Sequence, residues 1–436
     1  MLFLLFITLT FILVCSLFVY KLDLLSPTII IVSTFLLSTG VSLINANDWN
    51  VKISFDTYFV IVFSILLLVI GEFIVRVFFE KRYNQKAIPI LSSTNTVMVV
   101  PKKKFTIFSI IYTLIVLIWY WYNIRQSVSI VGIGADDTLL GTYRSNRGGQ
   151  STLLTFALAS VLSIGYYYIY MLFEVYFYEK KIKYIYLLPV FFYALITILS
   201  SNRIETIYLI IMLIGSFYIF YQKQRNWKMN MTIRLLSTLI ISFFILLLMF
   251  YFLGFLTGKS DNQNLYYTIS LYIGSSIPAL DSFLDDFNYS IANFGKETLL
   301  GLNNLLENLG LDVGFAEQRF LEFRRLGSMP TRTNIYTAFR RILNDYNYLG
   351  LFIYQFLVGI VYSWSYQKIK IKDNNINVLL YIFFVRYLIM QFTDERLVLN
   401  VFTITTLVQI FLFIVIFKYF STYTQSNNIN VHNSDF

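Results

Sequence analysis

Residues 57–79 read TYFVIVFSILLLVIGEFIVRVFF, an apolar run longer than the roughly 20 residues a helix needs to cross a bilayer. Similar runs recur along the whole chain, of which 57% of residues are hydrophobic and 13% charged, with a mean hydropathy of +0.65. The sequence therefore predicts an all-α, polytopic bundle of about eleven spans. The predicted spans are 2–20, 28–46, 57–79, 105–123, 152–177, 183–199, 205–221, 233–257, 348–366, 377–393 and 398–420.

The loop after the span at 57–79 is rich in Lys and Arg, with Lys81, Arg82, Lys86 and Lys102 to Lys104. Positive loops are retained on the cytoplasmic side, so we expect this loop to be cytoplasmic. Alternation then places the N-terminus outside and the C-terminus in the cytoplasm. The net charge of +10 is thereby explained as an insertion signal, and no nucleic-acid partner is expected.

Lys and Arg also separate by type between the two sides. The predicted cytoplasmic loops hold 15 Lys and 3 Arg, whereas the opposite loops hold 11 Arg and 3 Lys. Retention requires only positive charge, but a guanidinium adds a planar donor fork that suits phosphate or carboxylate. The sequence therefore predicts an extracytoplasmic site for an anion.

Four regions follow from the spacing of the apolar runs. Residues 1–257 carry spans one to eight, with an outside loop near 124–151 in which Arg144 and Arg147 precede two glycines. Residues 258–347 form a long extracytoplasmic segment, expected to be a helical lid or small domain. Spans nine to eleven occupy 348–420, and 421–436 is predicted to be a disordered cytoplasmic tail.

Cysteine, histidine and metal chemistry are not expected. The single cysteine, Cys15, lies inside the first span, and the single histidine, His432, lies in the polar tail. Asp281, Asp285 and Asp286 could share a helical face and hold a divalent cation, but a solvated acidic face is the favoured interpretation. We therefore predict no metal and no cofactor.

Charged residues within spans are costly and need a reason. Glu72 and Arg76 are four residues apart in the third span, which favours a structural ion pair. Arg386 lies in the middle of the tenth span with no carboxylate one turn away. An unpaired guanidinium at that depth is expected to face a wet cavity or a bound anion.

Two short motifs carry a family resemblance. Residues 332–340 read RTNIYTAFR, and 344–350 continue as NDYNYLG. The segment resembles a signature of the bacterial oligosaccharide repeat-unit polymerases (O-antigen polymerases), in which Thr-Asn-(Val/Ile)-Tyr-Thr precedes an Asp-aromatic-Gly turn and a span. Asn334 and Tyr336 are the motif-supporting residues here. Residues 200–203, SSNR, are similar to the Ser-Arg entry to a span in the same family.

The resemblance implies a membrane glycosyltransferase. It would transfer a growing glycan from undecaprenyl pyrophosphate to another lipid-linked repeat unit, on the outer face of the bacterial cytoplasmic membrane. Its partners would be the donor and acceptor lipids, the bilayer, a chain-length regulator and a flippase. A departing diphosphate needs its charge stabilised, and fixed arginines can do this.

The expected site residues follow from that chemistry. The predicted pyrophosphate ligands are Arg203, Arg332 and Arg340, followed by Arg341, Arg144, Arg147 and Arg386. A carboxylate is the natural base where no outside histidine exists, and Asp345 is the first choice, with Glu322 in reserve. A helical salt bridge between Arg341 and Asp345 is the competing structural interpretation for that pair.

Three other functions stay open. An O-antigen ligase would use a similar donor, but the absence of an outside histidine favours the polymerase. A transporter or flippase for lipid-linked oligosaccharides would concentrate its charges at mid-membrane between internal repeats, which the sequence does not display. If the protein were a non-enzymatic scaffold, the separation of Arg from Lys between the two sides would have no explanation.

Overall fold

A computed structural model describes residues 1–84, 97–131, 138–145, 151–225, 227, 237, 241, 248, 265–311, 321–326, 331–371 and 374–425. Most of the described chain is helical, and its strands form only two small pairs, so the all-α class is confirmed at that level. Its helices are α1 (Leu2–Val19), α2 (Pro27–Ile44), α3 (Phe55–Asn84), α4 (Lys103–Val131), α5 (Leu139–Ser145), α6 (Thr152–Glu179), α7 (Leu187–Leu199), α8 (Arg203–Gln224), α9 (Leu265–Gly274), α10 (Ser276–Asp285), α11 (Leu300–Asn308), α12 (Ala338–Ile371), α13 (Asn375–Ile389), α14 (Leu397–Val401) and α15 (Ile404–Tyr419).

Eight of the described helices are long and apolar enough to cross a membrane, and the chain is a membrane protein on that evidence. They are α1, α2, α3, α4, α6, α8, α12 and α13. Two shorter apolar helices occupy Tyr184–Leu199 and Ile404–Tyr419. The predicted span 233–257 lies almost wholly outside the described residues. The number eleven therefore stays a prediction.

The connecting segments gather at two opposite ends of the bundle, which we name by their cations. At the lysine end, Lys102 Nζ donates to the Tyr419 carbonyl at 2.7 Å and Lys180 Nζ donates to Gln224 Oε1 at 3.2 Å. The arginine end carries Arg203, Arg340, Arg341 and Arg396, and there Ser201 Oγ donates to the Leu140 carbonyl at 3.2 Å. These lysines and arginines lie at different ends, although Arg76 shares Asp23 with Lys370 at the lysine end. The assignment of the two ends to the two sides of a membrane stays a prediction.

A buried charge network holds the lysine end together. Arg76 Nη2 lies 2.6 Å from Glu72 Oε1, and the same guanidinium lies 3.6 Å from Asp23. Lys370 also contacts Asp23, and the Ser26 hydroxyl donates to Glu72 at 2.7 Å. Glu72 and Arg76 therefore form a structural ion pair, which confirms that interpretation of the sequence.

Helices α3 and α12 approach most closely at two glycines. A Cβ added at Gly71 would lie 2.6 Å from the Phe356 carbonyl oxygen, and one at Gly359 would lie 2.3 Å from the Leu68 carbonyl oxygen. Only glycine lets the two backbones come this near, as is common where membrane helices pack. This contact fixes the helix that carries Arg340 and Arg341 against the rest of the bundle.

One strand pair corrects the prediction of a disordered tail that begins at residue 421. Strand β1 (Val97–Pro101) pairs antiparallel with β4 (Ser421–Gln425), so 421–425 are a strand rather than part of a disordered tail. Residues 426–436 lie outside the described part. Strand β2 (Arg324–Arg325) pairs with β3 (Arg332–Thr333) at the arginine end.

The helix expected to begin at residue 348 begins ten residues earlier. Helix α12 starts at Ala338 and is interrupted at Asn347, whose φ of 61° and ψ of −174° are not helical. The first part, 338–346, packs among the segments of the arginine end, and the second part crosses the bundle. The sequence motif at 344–350 therefore marks a kink between two helical pieces.

Candidate functional site

A polar cavity of about 120 Å³ lies at the arginine end. The first turns of α8 and α15, the second half of α13 and the segment around α14 form most of its wall. The lining residues are Leu162, Asn202, Ile204, Glu205, Tyr208, Arg386, Tyr387, Arg396, Asn400, Thr405, Thr406 and Gln409. Two guanidiniums and one carboxylate thus face a space edged by amides and hydroxyls.

Arg386 is held rigidly on one wall of the cavity. Its guanidinium lies 3.9 Å from the centre of the Phe383 ring and 4.6 Å from that of Tyr208. It donates to the hydroxyls of Tyr387 at 2.7 Å and Tyr166 at 3.3 Å. Its Nε is buried and has no hydrogen-bond partner among the described residues. A buried charged donor without a partner is costly and points to a ligand.

Arg396 lines the same cavity, although it was not among the ligands predicted from the sequence. Its Nε lies 3.2 Å from Asp394 Oδ2. Burial works against its charge, but Asp394, Tyr208 and Glu205 outweigh burial and raise the pKa of Arg396. The positive side chains of Arg386 and Arg396, which come before and after a bend in the chain, therefore both line the cavity.

The remaining wall offers neutral hydrogen-bonding groups. Asn202 caps α8, since its Oδ1 accepts from the Ile204 N–H at 3.2 Å. Gln409 is 7% exposed, and its Oε1 has no hydrogen-bond partner in the described structure. An unpaired acceptor on one lining residue and an unpaired donor on another, Arg386, suit a ligand that has both anionic oxygens and hydroxyl groups.

A second cluster surrounds Arg340, one of the predicted ligands. Arg340 contacts Glu297, and its Nη2 donates to Glu322 Oε2 at 2.8 Å. Burial raises the pKa of Glu297, and the facing arginines offset only part of that rise. Burial also acts on Glu322, but Arg340 and Arg324 outweigh it and lower its pKa. Arg340 is therefore bound by protein carboxylates, with only its Nε left without a partner.

Arg341 and Asp345 do not pair with each other among the described contacts, so the competing structural interpretation, a helical salt bridge between them, is not observed. Arg341 Nε donates to Asp394 Oδ1 at 2.8 Å. Asp345 is fully buried and accepts from the backbone N–H and the hydroxyl of Thr298, both at 2.7 Å, and from the Glu297 N–H at 3.0 Å. Its carboxylate closes the turn at 297–298 and has little room for a substrate.

Two other predicted ligands, Arg203 and Arg332, are not among the residues that line the cavity. Arg203 is buried and its guanidinium lies 5.4 Å from the centre of the Tyr272 ring, and it is not among the lining residues. Arg332 is exposed on the β2–β3 pair. The side chain of Arg144 and the whole of Arg147 lie outside the described residues. Diphosphate binding by these four stays a prediction.

The motif-supporting residues shape the Arg340 cluster. Tyr336 is buried, and its hydroxyl donates to the Glu322 carbonyl at 2.9 Å. Asn334 is half-buried in the irregular segment that precedes α12. Tyr336 thus helps to hold Glu322, which pairs with Arg340.

Metal-binding geometry is not found in the part of the chain that the structure describes, where no group of three or more His, Cys, Asp or Glu is suitably placed. Asp281 instead accepts from the backbone N–H and the hydroxyl of Ser54, both at 2.7 Å. Asp281 is therefore engaged by the protein's own groups.

The chain was compared with known proteins at three levels. No protein-family model, no curated protein and no solved structure matches it.

Proposed function

We propose that this protein is a membrane glycosyltransferase that polymerises oligosaccharide repeat units carried on undecaprenyl pyrophosphate. The product would be an O-antigen-like or capsule-like polysaccharide, made on the outer face of a bacterial cytoplasmic membrane. The cavity at the arginine end would bind the donor where its sugar joins the diphosphate.

One observation carries the proposal. Arg386 and Gln409 both line the cavity, and each has a buried polar atom, Nε and Oε1 respectively, that lacks a partner among the described residues. A sugar diphosphate has acceptor oxygens for the first and hydroxyl donors for the second. Arg396 adds a second positive charge, which suits a ligand with more than one negative charge.

The site must stabilise the diphosphate as it leaves. As the glycosidic carbon leaves the diphosphate oxygen, negative charge grows on that oxygen. Arg386 is already oriented by two tyrosine hydroxyls and an aromatic ring, so little reorganisation is needed when the charge develops. Asn202, Asn400 and Thr405 supply hydrogen-bonding groups for the sugar.

The test is reconstitution of the full chain in liposomes with one purified undecaprenyl-pyrophosphate-linked repeat unit. We expect a ladder of chain lengths on a gel. No ladder, with oligosaccharide crossing the bilayer, would contradict the proposal and identify a transporter. Transfer of the glycan only to an added lipid A core would identify a ligase instead.

A further inference from the structure

Glu205 is the carboxylate that lines the cavity together with Arg386 and Arg396. It lies in the first turn of α8, directly after the cap formed by Asn202, and its side chain is half-buried. Among the described residues, its carboxylate forms neither a hydrogen bond nor an ion pair. Its lone pairs are therefore open to a ligand in the cavity.

Nearby carboxylates at the arginine end are already engaged. Asp345 is bound by the turn at 297–298, and Asp394 lies against Arg341 and Arg396. Glu395 accepts from the backbone N–H groups of Val398 and Leu399, both at 3.0 Å, and so caps α14. None of these three can accept a substrate proton without breaking the contacts that hold the local fold.

We propose that Glu205 is the general base of the transfer, an inference that rests on the proposed function. The acceptor hydroxyl gives its proton to the Glu205 carboxylate while its oxygen forms a bond to the glycosidic carbon. The bond from that carbon to the diphosphate breaks, and its electron pair leaves with the diphosphate, held by Arg386 and Arg396. No oxidant, reductant or further reactant is needed.

The surroundings of Glu205 also suggest a rival structural role. The charged or titratable groups that interact with it come from several elements and are Arg386, Arg396, Tyr166, Tyr193 and Tyr208. If Glu205 only balanced the positive charge of Arg386 and Arg396, it would compete with the diphosphate for these two arginines. Its removal would then tighten diphosphate binding and leave turnover unharmed. If Glu205 is the general base, its removal should instead lower the turnover rate.

The experiment uses Glu205→Gln in the full chain, assayed for ladder formation and for binding of undecaprenyl pyrophosphate alone. We expect the polymerisation rate to fall by about 10²- to 10⁴-fold, while lipid diphosphate binding is kept or becomes tighter. Glu205→Asp keeps a carboxylate and should retain part of the rate. Glu307→Gln, an exposed change on α11, serves as the matched control and should polymerise like the wild type.

Rescue by a carboxylate separates a base from a structural residue. The Asp variant should keep more of the wild-type turnover than the Gln variant while both bind undecaprenyl pyrophosphate, whereas a purely structural role would change lipid binding in step with turnover. A wild-type rate in Glu205→Gln, or loss of its diphosphate binding, overturns the inference and leaves the proposed function intact. A wild-type protein that forms no ladder overturns both.

Discussion

Asp394 Oδ2 lies 3.2 Å from Arg396 Nε, while the other oxygen of the same carboxylate accepts from Arg341 Nε at 2.8 Å. One carboxylate thus joins the first piece of α12 to a wall of the cavity. Through this contact, the kinked helix that carries the sequence motif is connected to the proposed diphosphate site.

Replacing Asp394 by Asn should therefore destabilise the arginine end. Arg341 is 3% exposed and would keep only Glu297, 3.7 Å away, as a carboxylate neighbour. Breaking a buried ion pair costs about 3–5 kcal/mol, and we expect about 2–3 kcal/mol here because Asp394 retains some exposure. Thermal unfolding in detergent measures the change.

The control is Asp286→Asn, which removes a carboxylate that lies 2.9 Å from Arg324 but is 75% exposed. Exposed pairs contribute less than about 1 kcal/mol, so the unfolding temperature should hardly move. If the unfolding temperature fell equally in Asp394→Asn and Asp286→Asn, Asp394 would not stabilise the arginine end more than an exposed carboxylate does.

Arg386→Lys keeps the charge and removes the planar fork. Because a charge-assisted hydrogen bond contributes about 1.5–3 kcal/mol, binding of undecaprenyl pyrophosphate should weaken by about 10- to 100-fold. Titration of the purified variant with the lipid measures this. The exposed Arg125→Lys is the control and should bind like the wild type, whereas unchanged binding by Arg386→Lys would remove Arg386 from the site.

The Arg340 cluster predicts a pH-dependent contribution from Glu322. Its pKa is below its ordinary value of 4.5 in the folded protein, so its contribution is present above that value and is lost as the pH falls through the lowered pKa. Glu322→Gln should reduce the unfolding temperature at neutral pH. The gap to the wild type should close well below pH 4.5, and a gap that persists in acid would contradict this assignment.

The contact between α3 and α12 predicts the effect of adding one methyl group. Gly359→Ala would place its Cβ against the Leu68 carbonyl, and such overpacking costs about 1–3 kcal/mol. In Gly40→Ala the new Cβ would meet only the Phe6 ring, at 3.3 Å, so stability should hold or rise by up to about 1 kcal/mol. Thermal unfolding of both variants tests the difference.

The sequence anticipated the helices well because crossing a bilayer demands long apolar runs, whatever the tertiary packing. It also identified Glu72 and Arg76 as a pair, since side chains four residues apart meet on one helix face. The same rule failed for Arg341 and Asp345. Arg341 instead donates to Asp394, and Asp345 instead accepts from the turn at 297–298.

The amino-acid sequence by itself determined that this is a helical membrane protein, because long apolar runs are a local property of the chain. Only the tertiary structure decided which polar groups share a cavity. Glu205 is far along the chain from Arg386, Arg396 and Gln409, and it meets them because α8, α13 and α15 pack at one end. Arg203 and Arg332 ranked ahead of Arg386 among the predicted ligands, but neither is among the residues that line the cavity.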